Sequence, residues 1–169
     1  MKSTGEVMGL GETAAEALGK ALLAAGSGLP GPGSAVLLSL ADRDKAEAMP
    51  LVARLAGLGY DLMATEGTAL RIREELGLAV DCITKMLHEG HPNVVDAIVS
   101  GGVGAVVNTV TGDRRPLRDG FYIRRAATER RIPCFTSLDT LRAALAAVTS
   151  AGCQTVRTVD EYRTAVVPV

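Results

Sequence analysis

The stretch Asp61 to Ala69, DLMATEGTA, puts Thr65, Gly67 and Thr68 on one tight turn between a short apolar run and the helix-forming segment TALRIREELG. The chemistry such a turn offers is anion binding. The first amides of a helix have no internal partner and carry the positive end of its dipole, so a phosphate can satisfy them. Residues of the same character follow the other apolar runs: Ser39 and then Lys45, Thr84 and Lys85, Asn108, Thr109 and Thr111, Thr136 and Ser137. Hydroxyls and amides donate hydrogen bonds to phosphate oxygens, and ammonium groups offset their charge. Singly, Ser, Thr and Asn also cap helices and fill turns. Their recurrence after every run, with two lysines, points to one phosphorylated ligand, and Ser39, Lys45, Thr65, Thr68, Lys85, Asn108, Thr109 and Thr111 are the candidate binding residues.

The elements that must position them alternate. Five short apolar runs, each followed by an amphipathic stretch, predict an α/β fold: a doubly wound parallel sheet covered by helices on both faces. The expected strands are 35–40, 60–64, 80–84, 105–110 and 133–136, and the expected helices end near Leu58, Leu76, Val99, Arg131 and Val148. In the first of these helices Pro50 is expected near the opening turns, since a deeper proline would break it. Gly77 suits a left-handed helix terminus. Ligands in such sheets bind beyond the carboxyl ends of the strands, which is where the candidate residues fall. Ahead of the repeats, residues 13–25 read as an alanine- and leucine-rich helix, and the glycine- and proline-rich residues 26–33 read as a linker. The segment after residue 148 carries only a weak pattern, fitting one more strand or short helix.

Two further groups are candidates for chemistry. His88 and His91 flank Glu89-Gly90, which invites an acid/base reading, but no nucleophile or third orienting group is identifiable, and hydrogen-bonded loop histidines are the simpler reading. Arg114, Arg115, Arg118, Arg124 and Arg125 form either a solvated run or a clamp on an anion, with Arg124 and Arg125 expected to open a helix beside the site. No catalytic residue and no metal site is assigned.

Composition narrows the partners. In 169 residues, 18 lysines and arginines nearly balance 19 aspartates and glutamates, and tryptophan is absent. There is thus no broad positive field for a nucleic acid and little aromatic surface for stacking bases. Cys82, Cys134 and Cys153 stand far apart, so neither a zinc site nor a disulfide framework is indicated, and buried, reduced thiols are expected. No apolar run reaches the ~20 residues of a membrane span and none near the N-terminus resembles a signal peptide, so a cytoplasmic protein without membrane attachment is expected.

The motifs ATEGTA, KMLHEGHPN and VVNT and the Arg124-Arg125 pair in YIRRAA occur in an order that resembles the C-terminal end of the large subunit of glutamine-hydrolysing carbamoyl phosphate synthetase. MKSTGEVMG at residues 1–9 resembles the close of the second ATP-grasp unit of that family. Ala35 onward resembles its allosteric domain, of methylglyoxal-synthase-like fold. The resemblance covers residues 1–148 and implies a boundary near residue 33, with an end of a synthetase unit and linker in 1–33 and the allosteric domain in 34–169. It also implies a strand order of 3-2-1-4-5.

By the same resemblance the domain binds a phosphorylated effector, with UMP as inhibitor and IMP as activator in bacterial relatives and N-acetylglutamate in those of ureotelic animals. The matching positions are Ser39, Lys45, Thr65, Thr68, Lys85, Asn108 and Thr109. One departure is Val110, at a place where a nucleotide-binding relative carries threonine, with Thr111 beside it. The implied assembly contains the synthetase units, which use ATP with magnesium or manganese, a glutaminase small subunit, and further copies of this domain. No ATP-grasp or amidotransferase chemistry is identifiable in this chain itself, so a regulatory fragment or separately encoded regulatory piece is expected, its first helix packing on a synthetase unit. Two alternatives stand beside this: a phosphate lyase of methylglyoxal synthase type, and an oligomerisation module that binds nothing. The lyase needs a carboxylate base; where that enzyme carries Gly-Gly-Asp, this chain reads Glu89-Gly90-His91.

Overall fold

A computed structural model describes residues 6–85, 92–109, 114–150 and 156–164. Its centre is a sheet of five parallel strands, β1 (Ala35–Ser39), β2 (Asp61–Thr65), β3 (Asp81–Ile83), β4 (Ala105–Asn108) and β5 (Cys134–Phe135), in the order 3-2-1-4-5. The helices are α1 (Ala14–Ala24), α2 (Asp42–Gly57), α3 (Glu66–Leu76), α4 (Val94–Val99), α5 (Arg114–Glu129), α6 (Leu138–Ser150) and α7 (Val159–Thr164).

Alternation along β1 explains the two covered faces, because successive side chains of a strand point to opposite sides. Val36 and Leu38 join Val52 and Leu55 of α2, Ile72 of α3 and Leu141 and Leu145 of α6. Leu37 faces the other way, into a second core with Ile98 of α4 and Ile123 and Ala127 of α5. A strand buried on both faces must be apolar at consecutive positions, which is why AVLLS reads as a continuous run. Pairing sets Leu38 opposite Ala64 and Ser39 opposite Asn108, so β1, β2 and β4 end nearly level. Three strand ends therefore lie together on one rim.

The structure departs from the sequence-based expectation in several places. Helix α2 begins at Asp42 and holds Pro50 in its interior rather than in its first turns. It survives because Pro50 faces solvent while Met49, Leu51 and Val52 are buried on the core side. Packing thus outweighs the missing amide. Relieving that missing bond, Pro50→Ala should raise stability by about 1 kcal/mol, part of the ~3 kcal/mol interior proline penalty being offset by the freer unfolded chain. Thermal melts read this directly, and a lower melting temperature would contradict it.

Helix α5 starts at Arg114, inside what the sequence suggested was a charged loop. Gly77 has φ 62°, as a left-handed helix end requires. The segment after residue 148 contributes a last turn to α6 and the short helix α7. The glycine-proline stretch is pinned down: Tyr60 Oη donates to Pro30 O at 2.6 Å and the Gly33 amide to Gly59 O at 2.7 Å. Helix α1 packs on α6 of this same chain, with Leu22 against the core and Leu23 exposed. Tyr162 of α7 ties down α1 and the chain just before it, accepting from Lys20 at 2.9 Å and donating to Leu10 O at 3.2 Å. Cys82 is exposed, contrary to expectation, because it lies on β3, the outermost strand among the described residues, where one edge has no described partner strand. Cys134 is half-buried, and its burial pushes the thiol pKa up. Among the described residues no helix is long and apolar enough to cross a membrane.

Candidate functional site

At the rim the candidate hydroxyls hold the loops together. Thr68, 1% exposed, accepts from the Leu40 amide at 3.2 Å and from Thr65 Oγ1 at 3.3 Å. Thr109 Oγ1 accepts from the Ala41 amide at 2.9 Å, and its own amide donates to Ser39 O at 3.2 Å. The β1–α2 loop is therefore clamped from both sides, by the β2–α3 turn and by the end of β4. A hydroxyl offers two lone pairs and one proton. With both lone pairs of Thr68 taken, its hydroxyl can act further only as a donor. Asn108 is also buried, its Nδ2 donating to Gly120 O at 3.1 Å and fixing the end of β4 to α5.

Strand β2 runs straight into α3, with Thr65 as N-cap residue, but its side chain does not cap the helix. The amides of Glu66, Gly67 and Thr68 thus have neither an intrahelical partner nor a Thr65 cap. Above them lies Lys45. A Cβ built on Gly67 would come within 3.0 Å of Lys45 Nζ, so the missing side chain is what lets the ammonium approach. A cation against the positive end of a helix is unfavourable by itself. Its counter-charge is Asp42, whose Oδ1 lies 2.6 Å from Nζ. The Lys45 hydrogen bond and charge hold the Asp42 carboxyl below its usual range, and Lys85 adds to the effect. Lys45 therefore holds Asp42 directly, and Lys85 contributes a weaker charge effect at the same carboxylate. Beside it a groove of about 420 Å³, lined by Asp42, Lys45, Gly67, Leu70 and Arg71, lies between α2 and α3. That is within the size range of small-ligand sites.

Gly67 gives this geometry a test, because its backbone is helical and only the flexible end of Lys45 stands in the way of a methyl group. Gly67→Ala should stabilise α3 by roughly 0.5–1 kcal/mol and at the same time weaken phosphate binding about threefold by displacing the ammonium. Melting and titration should move in opposite senses; unchanged binding would mean that Lys45 does not act from this position.

Some expected residues are not brought to the rim. Arg124 and Arg125 lie in the second half of α5, where Arg125 pairs with Glu129 at 2.8 Å and Arg124 acts on Cys134 at the start of β5, the opposite end of the sheet. Ser137 serves α6, accepting from the Thr140 amide at 3.2 Å. Thr136 and Ser137 border a second, smaller rim cleft of about 250 Å³ with Arg43 and Thr109. Thr111, Val110, His88, Glu89, His91 and Cys153 lie outside the described residues, as do the side chains of Arg114, Arg115 and Arg118. Asp42 was missed by the sequence reading, although its signal was present: an acid three residues before Lys45 on one helix turn.

Comparison with known proteins gives four matches. Residues 47–136 match the family model described as the MGS-like domain. The chain is 47% identical over 165 residues, 97% of its length, to the carbamoyl phosphate synthase large chain of Thermomicrobium roseum. It is 44% identical over 149 residues, 88% of its length, to the C-terminal section of that large chain from Methanopyrus kandleri. It spans only 15% and 27% of the length of these two relatives. The crystal structure of methylglyoxal synthase from Elizabethkingia anophelis superposes with a TM-score of 0.56 at 17% identity, covering 82% of this chain and 95% of that one. At that identity the likeness is one of fold.

Proposed function

The chain belongs to the MGS-like domain family, and from that premise we propose that it is the allosteric domain of a carbamoyl phosphate synthase large chain, binding a phosphorylated effector of the UMP or IMP kind. The observation that carries the reading is the Lys45 ammonium held over Gly67 at an α3 N-terminus that Thr65 does not cap. That arrangement concentrates positive charge and donors at one point, balanced by the exposed Asp42 carboxylate and solvent, where a phosphate would fit. The effector's phosphate meets Lys45, Lys85, Thr68 and the first amides of α3, with Thr65, Ser39, Asn108 and Thr109 bordering the rest of the ligand.

The large-chain relatives support the remainder of the proposal. This domain joins the synthetase units, where ATP and magnesium or manganese drive carbamoyl phosphate synthesis from bicarbonate and the ammonia that a glutaminase subunit releases. Effector binding alters that rate only if the ligand favours one state of the whole assembly over another. Calorimetry with UMP, IMP and N-acetylglutamate, run beside an assay for phosphate release from dihydroxyacetone phosphate, tests the reading. Saturable nucleotide binding without phosphate release is expected. Turnover would replace the proposal with the lyase, and silence in both assays would leave a scaffold.

A further inference from the structure

Asp42 and Lys45 sit on the first turn of α2, and their ion pair of 2.6 Å is lopsided. The Lys45 side chain is 15% exposed, tucked over Gly67, while that of Asp42 is 93% exposed. The ammonium is therefore fixed by its surroundings and the carboxylate is held mainly by the ammonium. Lys85 acts on the same carboxylate. Asp42 thus pairs directly with Lys45 and feels the charge of Lys85 more weakly.

Resting on the effector reading above, we propose that Asp42 is an internal stand-in for the ligand: its carboxylate occupies Lys45 in the ligand-free protein and must be displaced when a phosphate binds. The exchange favours one ligand class. A phosphate monoester brings close to two charges and three strong acceptor oxygens, more than the single carboxylate that it displaces. A ligand presenting one carboxylate would exchange like for like and gain little. Asp42 therefore lowers affinity for every anion and sets a threshold that phosphorylated ligands pass most readily. Because the carboxylate is nearly fully exposed, the exchange needs no rearrangement of the core.

The test is titration of orthophosphate and UMP into the unaltered chain, Asp42→Asn, Lys45→Ala and the double variant, at low and at high salt. Asp42→Asn should tighten both ligands about 3- to 10-fold at low salt, less at high salt, where the charge of an exposed group is screened. The gain should shrink in the Lys45→Ala background, because the seat for which Asp42 competes is then gone. Two results would overturn the stand-in role while leaving the effector site intact: binding by the unaltered chain that Asp42→Asn leaves unchanged or weakens, or an equal gain in both backgrounds. Failure of every form to bind UMP or orthophosphate would overturn the effector reading and this inference together.

Discussion

Lys45→Ala is expected to weaken a nucleoside monophosphate by about 1.5–3 kcal/mol, the range for hydrogen bonds to charged groups, which is roughly 10- to 150-fold in affinity. The ligand-free protein should hardly notice. Its ammonium lies against the positive end of α3, an unfavourable placement, and its partner Asp42 is solvent-exposed, so the pair holds little of the fold together. A near-normal melting temperature with lost affinity is the signature of a residue kept for its ligand. Lys85→Ala should move affinity the same way but less, since its charge reaches Asp42 more weakly than that of Lys45. Lys45→Arg is the sharper control: it keeps the charge, but a planar guanidinium needs more room than the close space above Gly67 gives. It should restore only part of the affinity. Unchanged binding in Lys45→Ala would remove the ammonium from the site.

Much of this arrangement is legible in the sequence because it rests on local signals. The strands are short apolar runs, and their order places their ends together whichever side chains they carry. The helix after β2 and its left-handed end at Gly77 follow from one turn of sequence and one glycine. What was not legible depends on the other side of a contact. Helix α5 opens on Arg114-Arg115-Pro116, residues that read as a loop because cations suit a helix N-terminus poorly. Yet proline is tolerated in a first turn, and burial of Ile123, Ala126 and Ala127 further along favours extending the helix. Pro50 likewise looks like a breaker until its exposed position on α2 is seen. At the site, residue types showed that hydroxyls line the rim but not which way their hydrogen bonds run. Thr68 and Thr109 accept from Leu40 and Ala41, a role that requires the β1–α2 loop to be in place between them.

That direction predicts a cost in stability for Thr68→Val. Valine has nearly the shape of threonine, so packing at this 1% exposed position should change little. The loss is an acceptor: the Leu40 amide, bonded to Thr68 Oγ1 at 3.2 Å, would be left buried without it, and Thr65 would lose the partner of its hydroxyl. Leaving a buried donor unsatisfied costs about 1–3 kcal/mol, and for a chain of this size each kcal/mol lowers the melting temperature by roughly 2–4 °C. Affinity should fall as well, for two separable reasons. The Thr68 proton that remains to meet a phosphate disappears, and a slackened Leu40-Ala41 loop no longer fixes the first turn of α2, which carries Asp42 and Lys45. Thr68→Ser distinguishes hydroxyl from methyl: it should recover most of the stability and the binding, losing only the buried methyl contact. Equal melting of Thr68→Val and the unaltered chain would mean that the loop is braced elsewhere, and retained affinity would mean that the anion is held by the α3 amides and the lysines without this hydroxyl.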